Sequence, residues 1–282
     1  MLSAVRPPHR TLLFVPGHRE SMVAKAATVD ADAIVFDLED SVPLNEKQAA
    51  RRCVTNTLMV WPTDAPTAFV RVNSPRFGMV TDDGMVVLAR DNVGVIVPKV
   101  DRPVELAAVF DALGSRAREL IVNIETPRSL LHAEAFADTF GVDGLFLGGE
   151  DLTNALGSQR TSDGHELAIP RFMMLAAARA AGIAAYDTIF ADFRDLSVLE
   201  RDARAAADMG FDGKFAIHPA QLPVIREAFT PSTESVEVAR RIVAEFNAAV
   251  ERGEGAVAVD GQMIDAPVAE RARAVLRRAE VT

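Results

Sequence analysis

Leu120-Ile121-Val122-Asn123-Ile124-Glu125-Thr126 and Gly144-Leu145-Phe146-Leu147-Gly148-Gly149-Glu150-Asp151-Leu152 decide how this chain is read. Each begins as a short apolar run, and an acidic residue stands just past its end. A helical pattern at residues 129–139 separates them, so they read as neighbouring parallel strands. At the C-terminal ends of such strands the loops diverge and helix N-termini face the opening, which is where ligands bind. Two carboxylates delivered there, Glu125 and Asp151, can hold a hard divalent cation. Mg²⁺ is typically bound by one or two carboxylates, with water and substrate oxygens completing its shell. Either residue alone reads equally well as the cap of the helix that follows it.

The same grammar repeats along the chain. Apolar, β-branched segments at 11–15, 33–36, 68–72, 94–97, 120–124, 144–147, 184–189 and 214–217 alternate with helical patterns at 21–29, 46–60, 103–113, 129–139, 169–181 and 196–209. Strands alternating with helices pair in parallel, and eight such units predict a closed α/β fold, the (β/α)₈ TIM barrel, over residues 1–229. Beyond Phe229 the pattern changes. A helix is expected from Thr230-Pro231-Ser232 to about Arg252, then a Gly-rich strand-like piece over 253–262, then a final amphipathic helix to about Ala279. A closed barrel does not need residues 230–282, so they are expected to be a lid or oligomer contact within the same domain.

The predicted strand ends carry the polar residues: Pro16-Gly17-His18-Arg19, Asp37-Leu38-Glu39-Asp40, Arg71-Val72-Asn73, Pro98-Lys99, Glu125-Thr126, Glu150-Asp151, Asp187 and His218-Pro219. That distribution is what an active-site rim requires. Arg71, ending an apolar strand, either pairs with a carboxylate of the protein or grips the carboxylate of a small acid, because both partners are planar forks. Asp37, Glu39 and Asp40 are expected to orient water or to pair with Arg71 and Lys99 rather than to ligate a metal directly. His218 is expected to be a wall residue. Arg19 and Lys25, near the first strand–helix loop, either meet phosphates or lie on a solvated helix face.

Composition narrows the function classes. The chain has 282 residues, with 40 acidic against 30 basic and a formal charge of −10, which disfavours nucleic acid as a partner. Cys53 is the sole cysteine, so no intrachain disulfide or cysteine-rich zinc cluster can form. No apolar run reaches the length of a membrane span, and a soluble, cytoplasmic protein is expected. Phosphate-cradling Gly-rich fingerprints, nucleophile elbows and zinc-type His pairs are all missing from the sequence.

Taken together, Leu13-Phe14-Val15-Pro16-Gly17, Asp37-Leu38-Glu39-Asp40, Val70-Arg71-Val72-Asn73, Pro98-Lys99, Ile124-Glu125-Thr126, Gly149-Glu150-Asp151-Leu152, Gly210-Phe211-Asp212-Gly213-Lys214, Ile217-His218-Pro219 and Met263-Ile264-Asp265 resemble the citrate lyase beta-subunit-like family. That family includes malyl-CoA and citramalyl-CoA lyases and belongs to the wider class II aldolase and phosphoenolpyruvate-type barrels. The resemblance implies a Mg²⁺-dependent carbon–carbon lyase acting on a 3-hydroxyacyl-CoA, with acetyl-CoA and a 2-keto acid (oxaloacetate, pyruvate or glyoxylate) on the other side of the reaction. It implies Glu125 and Asp151 as metal ligands, Arg71 as the keto-acid clamp, and Gly149 and Glu150 lining the same small-acid pocket. Arg19 and Lys25 would lie on the CoA side. Asp265 resembles an acid that family members lend to a neighbouring subunit, which makes it the first candidate for proton transfer, with Asp37 and Glu39 in reserve; as an alternative it is the N-cap of the final helix. Such proteins assemble as trimers or multiples of three. Gln262, where family members often carry Lys, and Tyr186, where an aliphatic residue is more usual, depart from the pattern and bear on substrate identity. A malyl-CoA thioesterase, a citryl-thioester lyase subunit, and a non-catalytic barrel that binds a CoA ester remain as alternatives.

Overall fold

The computed structural model describes residues 8–114 and 119–279. Eight strands, β1 (Thr11–Pro16), β2 (Ala33–Asp37), β3 (Thr67–Arg71), β4 (Gly94–Val97), β5 (Leu120–Ile124), β6 (Gly144–Leu147), β7 (Ala184–Asp187) and β8 (Gly213–Ala216), close into one parallel barrel. Closure runs from β1 to β8, with Leu12 opposite Phe215. The short apolar runs are legible as strands because barrel strands are buried on both faces; every residue of β2, β4, β5, β6 and β8 is buried.

Large and small residues alternate across neighbouring strands to fill the interior. Leu12, Val35, Phe69, Ile96, Ile121, Phe146, Tyr186 and Phe215 meet there. Gly94 on β4 leaves room for the Phe69 ring of β3, which any side chain at 94 would strike. Tyr186 is fully buried among these residues and its hydroxyl reaches Glu119, which precedes β5. It therefore sits towards the N-terminal end of the strands, away from the mouth where the polar residues gather.

The helices of this part are α1 (Glu20–Val23), α2 (Lys47–Met59), α3 (Val80–Val87), α4 (Ala107–Leu113), α5 (Pro127–Leu131), α6 (Ala133–Ala137), α7 (Gly149–Leu156), α8 (Ala168–Ala181), α9 (Leu196–Met209) and α10 (Leu222–Phe229). The predicted helix at 129–139 breaks at His132, and the one at 21–29 shortens to a four-residue helix followed by a 3₁₀ turn. α3 is not anticipated, since Gly84 interrupts it, and α7 begins at Gly149, ahead of Asp151 rather than after it. In α3, Gly84 allows close approach to Ala112; a Cβ at 84 would stand 3.2 Å from the Ala112 Cβ. Outside the barrel, Arg171 of α8 grips Asp187 with two hydrogen bonds of 2.8 Å and also reaches Asp202 of α9. Lys214 of β8, wholly buried, bridges the same two acids. This network ties α8 and α9 to β7 and β8. Asp187, placed on the rim by its sequence position, is thus an anchoring residue.

By backbone contacts the chain divides into two compact units, one of Pro8–Arg226 and one that takes in Glu227 onward. In the second, α11 (Thr233–Glu251) is capped by Ser232, whose hydroxyl accepts from the Ser235 amide. The strand-like piece is a hairpin of β9 (Val257–Val259) and β10 (Gln262–Ile264), turned by Asp260 and Gly261, both left-handed, as a two-residue hairpin turn requires. It is followed by α12 (Ala266–Ala279). Phe246, Val259, Ile264 and Ala269 form this unit's own apolar cluster. No helix among the described residues is long and apolar enough to cross a membrane.

Candidate active site

A cavity of about 250 Å³ opens at the C-terminal mouth of the barrel. Glu125 enters from the end of β5, and Gly149, Glu150 and Asp151 from the first turn of α7; Arg71 comes from the end of β3 and Asp37 from the end of β2. Phe14, Phe146, Ile189 and Ile217 supply apolar wall. The two acids of the opening stretch therefore share one cavity with the arginine, as their strand-end positions require.

Asp37 and Arg71 stand opposite each other in the β2–β3 register. The guanidinium gives Nε and Nη2 to the two carboxylate oxygens of Asp37, each at 2.7 Å. Asp37 also accepts from the amides of Glu39 and Ser41. Burial raises its pKa, but the charge and hydrogen bonds of Arg71 outweigh that and hold it at about 2. A carboxyl held so low is a poor proton acceptor at neutral pH, so Asp37 serves to aim Arg71. Two of the five N–H donors are used in this way, leaving Nη1 and one hydrogen of Nη2. The guanidinium also lies over the Phe14 ring, 4.7 Å from its centroid. Arg71 is therefore paired with a carboxylate of the protein and also lines the cavity.

Glu39 is buried behind the cavity wall. Lys99 donates to its Oε1 at 2.5 Å, while Oε2 lies 3.6 Å from Arg71 and has no hydrogen-bond partner. Burial pushes its pKa up, against the pull of Arg71 and Lys99. Glu125 is 2 % exposed. Burial, then the charges of Asp151 and Glu39, push its carboxyl up to about 8, against the opposing charge of Arg71. Its Oε1 accepts the Lys99 amide at 2.6 Å and its Oε2 accepts from Asn123. Gly148 makes room for this group, since a Cβ there would collide with Glu125 and stand 2.8 Å from Asn123 Oδ1. Gly149 is anchored by donating its amide to Thr188 Oγ1 at 3.0 Å.

These donors suit a hard divalent cation. They are oxygen ligands, the charge of Asp151 helps push the Glu125 carboxyl up, and a cation is what reverses that repulsion. The Glu150 side chain is held by Arg160, accepting from Nε at 2.9 Å, so its charge is already paired. Arg19, just before α1, and Lys25, just after it, are exposed and do not line the cavity. His218 is exposed at the rim, stacked on Phe193 with its Nδ1 accepting the Ala220 amide. In the second unit, Asp265 is half-buried at the start of α12, with Oδ1 accepting from the Val268 amide at 3.1 Å. The sequence reading misses Asn123, Thr188 and Gly148. Of these only Asn123 leaves a signal, as a polar residue inside an apolar strand.

One consequence is a dependence of stability on acid. Asp37 at about 2, and Asp202, which burial raises but Lys214 and Arg171 hold at about 2, both lie below the unfolded aspartate value. Each stabilises the fold fully above about pH 4 and stops doing so as pH falls towards 2, a loss of about 2–3 kcal/mol apiece. Urea unfolding between pH 6 and pH 2 should show this decline, and Asp202→Asn should flatten part of it. A flat profile would show that these pairs are not the source of acid sensitivity.

Known proteins resemble this chain along nearly its whole length. A family model described as HpcH/HpaI aldolase/citrate lyase matches residues 10–219. The chain is 35% identical to the citrate lyase subunit beta of Escherichia coli (strain K12), covering 97% of this chain and 94% of that protein. It is 36% identical to a (3S)-malyl-CoA thioesterase of Cereibacter sphaeroides (strain KD131 / KCTC 12085), over 97% and 95%. Among solved structures, the protein CitE of Mycobacterium tuberculosis in complex with magnesium, acetoacetate and coenzyme A superposes with a TM-score of 0.80 at 35% identity, covering 96% of this chain and 98% of that one.

Proposed function

Because the chain belongs to the HpcH/HpaI aldolase/citrate lyase family, we propose that it is a Mg²⁺-dependent carbon–carbon lyase that cleaves or forms a 3-hydroxyacyl-CoA, such as malyl-CoA or citramalyl-CoA, with acetyl-CoA and a 2-keto acid on the other side. The observation that carries this reading is the meeting of Glu125, Asp151 and Arg71 in one small cavity. Its volume suits oxaloacetate, pyruvate or glyoxylate and leaves the bulk of CoA outside. Related M. tuberculosis proteins have been solved with magnesium and pyruvate and with magnesium and oxaloacetate.

Glu125 and Asp151 would hold the metal, which when bound supplies Lewis acidity to a substrate oxygen. Arg71, aimed by Asp37, would take the keto-acid carboxylate on its free N–H donors. Phe14, Phe146 and Ile189 would keep water from the reacting carbons. In the cleavage direction the hydroxyl proton passes to solvent as its oxygen becomes the keto oxygen, the carbon–carbon bond breaks, and its electron pair passes to the carbon alpha to the thioester, giving an enolate that must then be protonated there. We assign that last proton to Asp265 of a neighbouring subunit in a homotrimer or multiple of three, with Glu39 in reserve. Arg19 and Lys25 would meet the CoA phosphates on the first loop, and the cytoplasm is the proposed setting.

The relative that is a thioesterase favours a second reading, hydrolysis of malyl-CoA. Mass spectrometry of the products decides between them: acetyl-CoA plus a keto acid from malyl-CoA, citramalyl-CoA or citryl-CoA means lyase, and free malate plus CoA means thioesterase. Arg71 offers a separate check. Arg71→Ala should weaken keto-acid binding by about 1.5–3 kcal/mol, and Arg71→Lys should recover only part of that, since an ammonium lacks the fork. Unchanged keto-acid affinity in both variants, measured by calorimetry, would leave Arg71 with a structural role alone.

A further inference from the structure

Ile121, Asn123 and Glu125 stand two apart on β5 and its end, and so share the face turned into the barrel. Ile121 belongs to the interior apolar cluster, whereas Asn123, 1 % exposed, lines the cavity. A buried amide is unfavourable unless it is hydrogen-bonded. Of the four hydrogen bonds its amide can make, Asn123 makes one, from Nδ2 to Glu125 Oε2, and Oδ1 has no hydrogen-bond partner. Ionised, as a metal ligand must be, the Glu125 oxygen accepts only from the NH₂ half, which sets the amide's orientation. For packing alone, an apolar residue would serve this position better.

The opposite oxygen of Glu125 is pinned too, by the Lys99 amide at 2.6 Å. Lys99 holds a left-handed backbone at φ 53°, an uncommon state for a side-chain-bearing residue, and its Nζ is tied to Glu39 and Asp40 at 2.5 Å each. An ionised carboxylate offers about four acceptor sites. The two donors take two of them, so the group is held in one orientation with capacity to spare.

We propose that Asn123 is a positioning residue for the Glu125 carboxylate, orienting it towards the cation that the preceding reading assigns to Glu125 and Asp151. This proposal rests on that reading. Partners of this kind typically contribute 10–100-fold to metal affinity.

The test is Mn²⁺ titrated into the full chain, with free Mn²⁺ followed by electron paramagnetic resonance and Mg²⁺ added as competitor. Asn123→Leu, similar in volume, should bind Mn²⁺ about 10–100-fold more weakly, while its melting temperature stays equal or rises because a half-satisfied buried amide has gone. A residue that only filled space would not move metal affinity in this way. Wild-type affinity in Asn123→Leu, alongside loss of binding in Glu125→Ala, overturns the positioning role and leaves the metal site standing. If wild type and Glu125→Ala bind Mn²⁺ alike, the metal reading itself fails and the proposal falls with it. Should the leucine variant not fold, Asn123→Ala carries the same expectation and is judged by the same outcomes.

Discussion

Replacing Glu125 or Asp151 with alanine is expected to reduce turnover to background and to eliminate Mg²⁺ binding, with the barrel still folded. A Mg²⁺ site commonly draws on only one or two protein carboxylates, so losing either leaves too few donors to hold the ion against water. Stability should change little. Glu125 is a carboxyl whose ionisation the fold disfavours, since burial and the neighbouring acids raise its pKa to about 8. Removing it lifts that electrostatic burden but leaves the Lys99 amide and the Asn123 amide without their acceptor, and these effects oppose each other. Asp151 sits in the first turn of α7, where a negative charge complements the helix dipole, so Asp151→Ala should lose about 0.3–1 kcal/mol. Circular dichroism and melting curves near those of wild type, with no activity at saturating Mg²⁺, are the expected result. Full activity in EDTA, or in either variant, would exclude the metal mechanism.

The strands and the acids at their ends are legible in the sequence for one physical reason. Strands buried on both faces must be short apolar runs, so the point where polarity returns marks the mouth of the barrel. That rule locates Glu125, Asp151, Arg71 and Asp37 at once. It is blind to what the packing of neighbours imposes. Whether Arg71 pairs with Asp37 or turns to the cavity depends on the β2–β3 register, and Arg71 both pairs with Asp37 and lines the cavity. Asp187 obeys the strand-end rule yet is captured by Arg171 and Lys214, which arrive from α8 and β8. The start of α7 reads as a loop because two glycines open it. In the folded chain those glycines make space for Glu125, Asn123 and Thr188, a demand that arises only once the strands are side by side. Asn123 escapes the reading because a doubly buried strand has no polar alternation to say which face a lone amide takes. Tyr186, which marks a departure from the family pattern, fills the barrel interior and does not line the cavity.

Asp265→Asn is expected to lower kcat by about 10²–10⁴-fold, the range typical of a lost general acid or base. Keto-acid and metal affinities should remain, because Arg71, Glu125 and Asp151 are untouched. The fold should also remain. Asp265 caps α12 through Oδ1 and the Val268 amide, and asparagine caps a helix as well as aspartate does. A large loss of rate with unchanged melting temperature therefore separates proton transfer from capping, whereas Asp265→Ala would confound them. The proposed loan of this acid to a neighbouring subunit makes a stricter demand. Inactive Asp265→Asn chains and inactive Glu125→Ala chains, co-expressed so that they assemble together, should regain part of the activity, because some sites then combine an intact metal centre with an intact Asp265. Separately tagged chains purified in tandem establish that the oligomers are mixed. If such oligomers stay inactive, Asp265 does not serve a neighbour; if Asp265→Asn alone turns over like wild type, its carboxylate does no more than cap the helix.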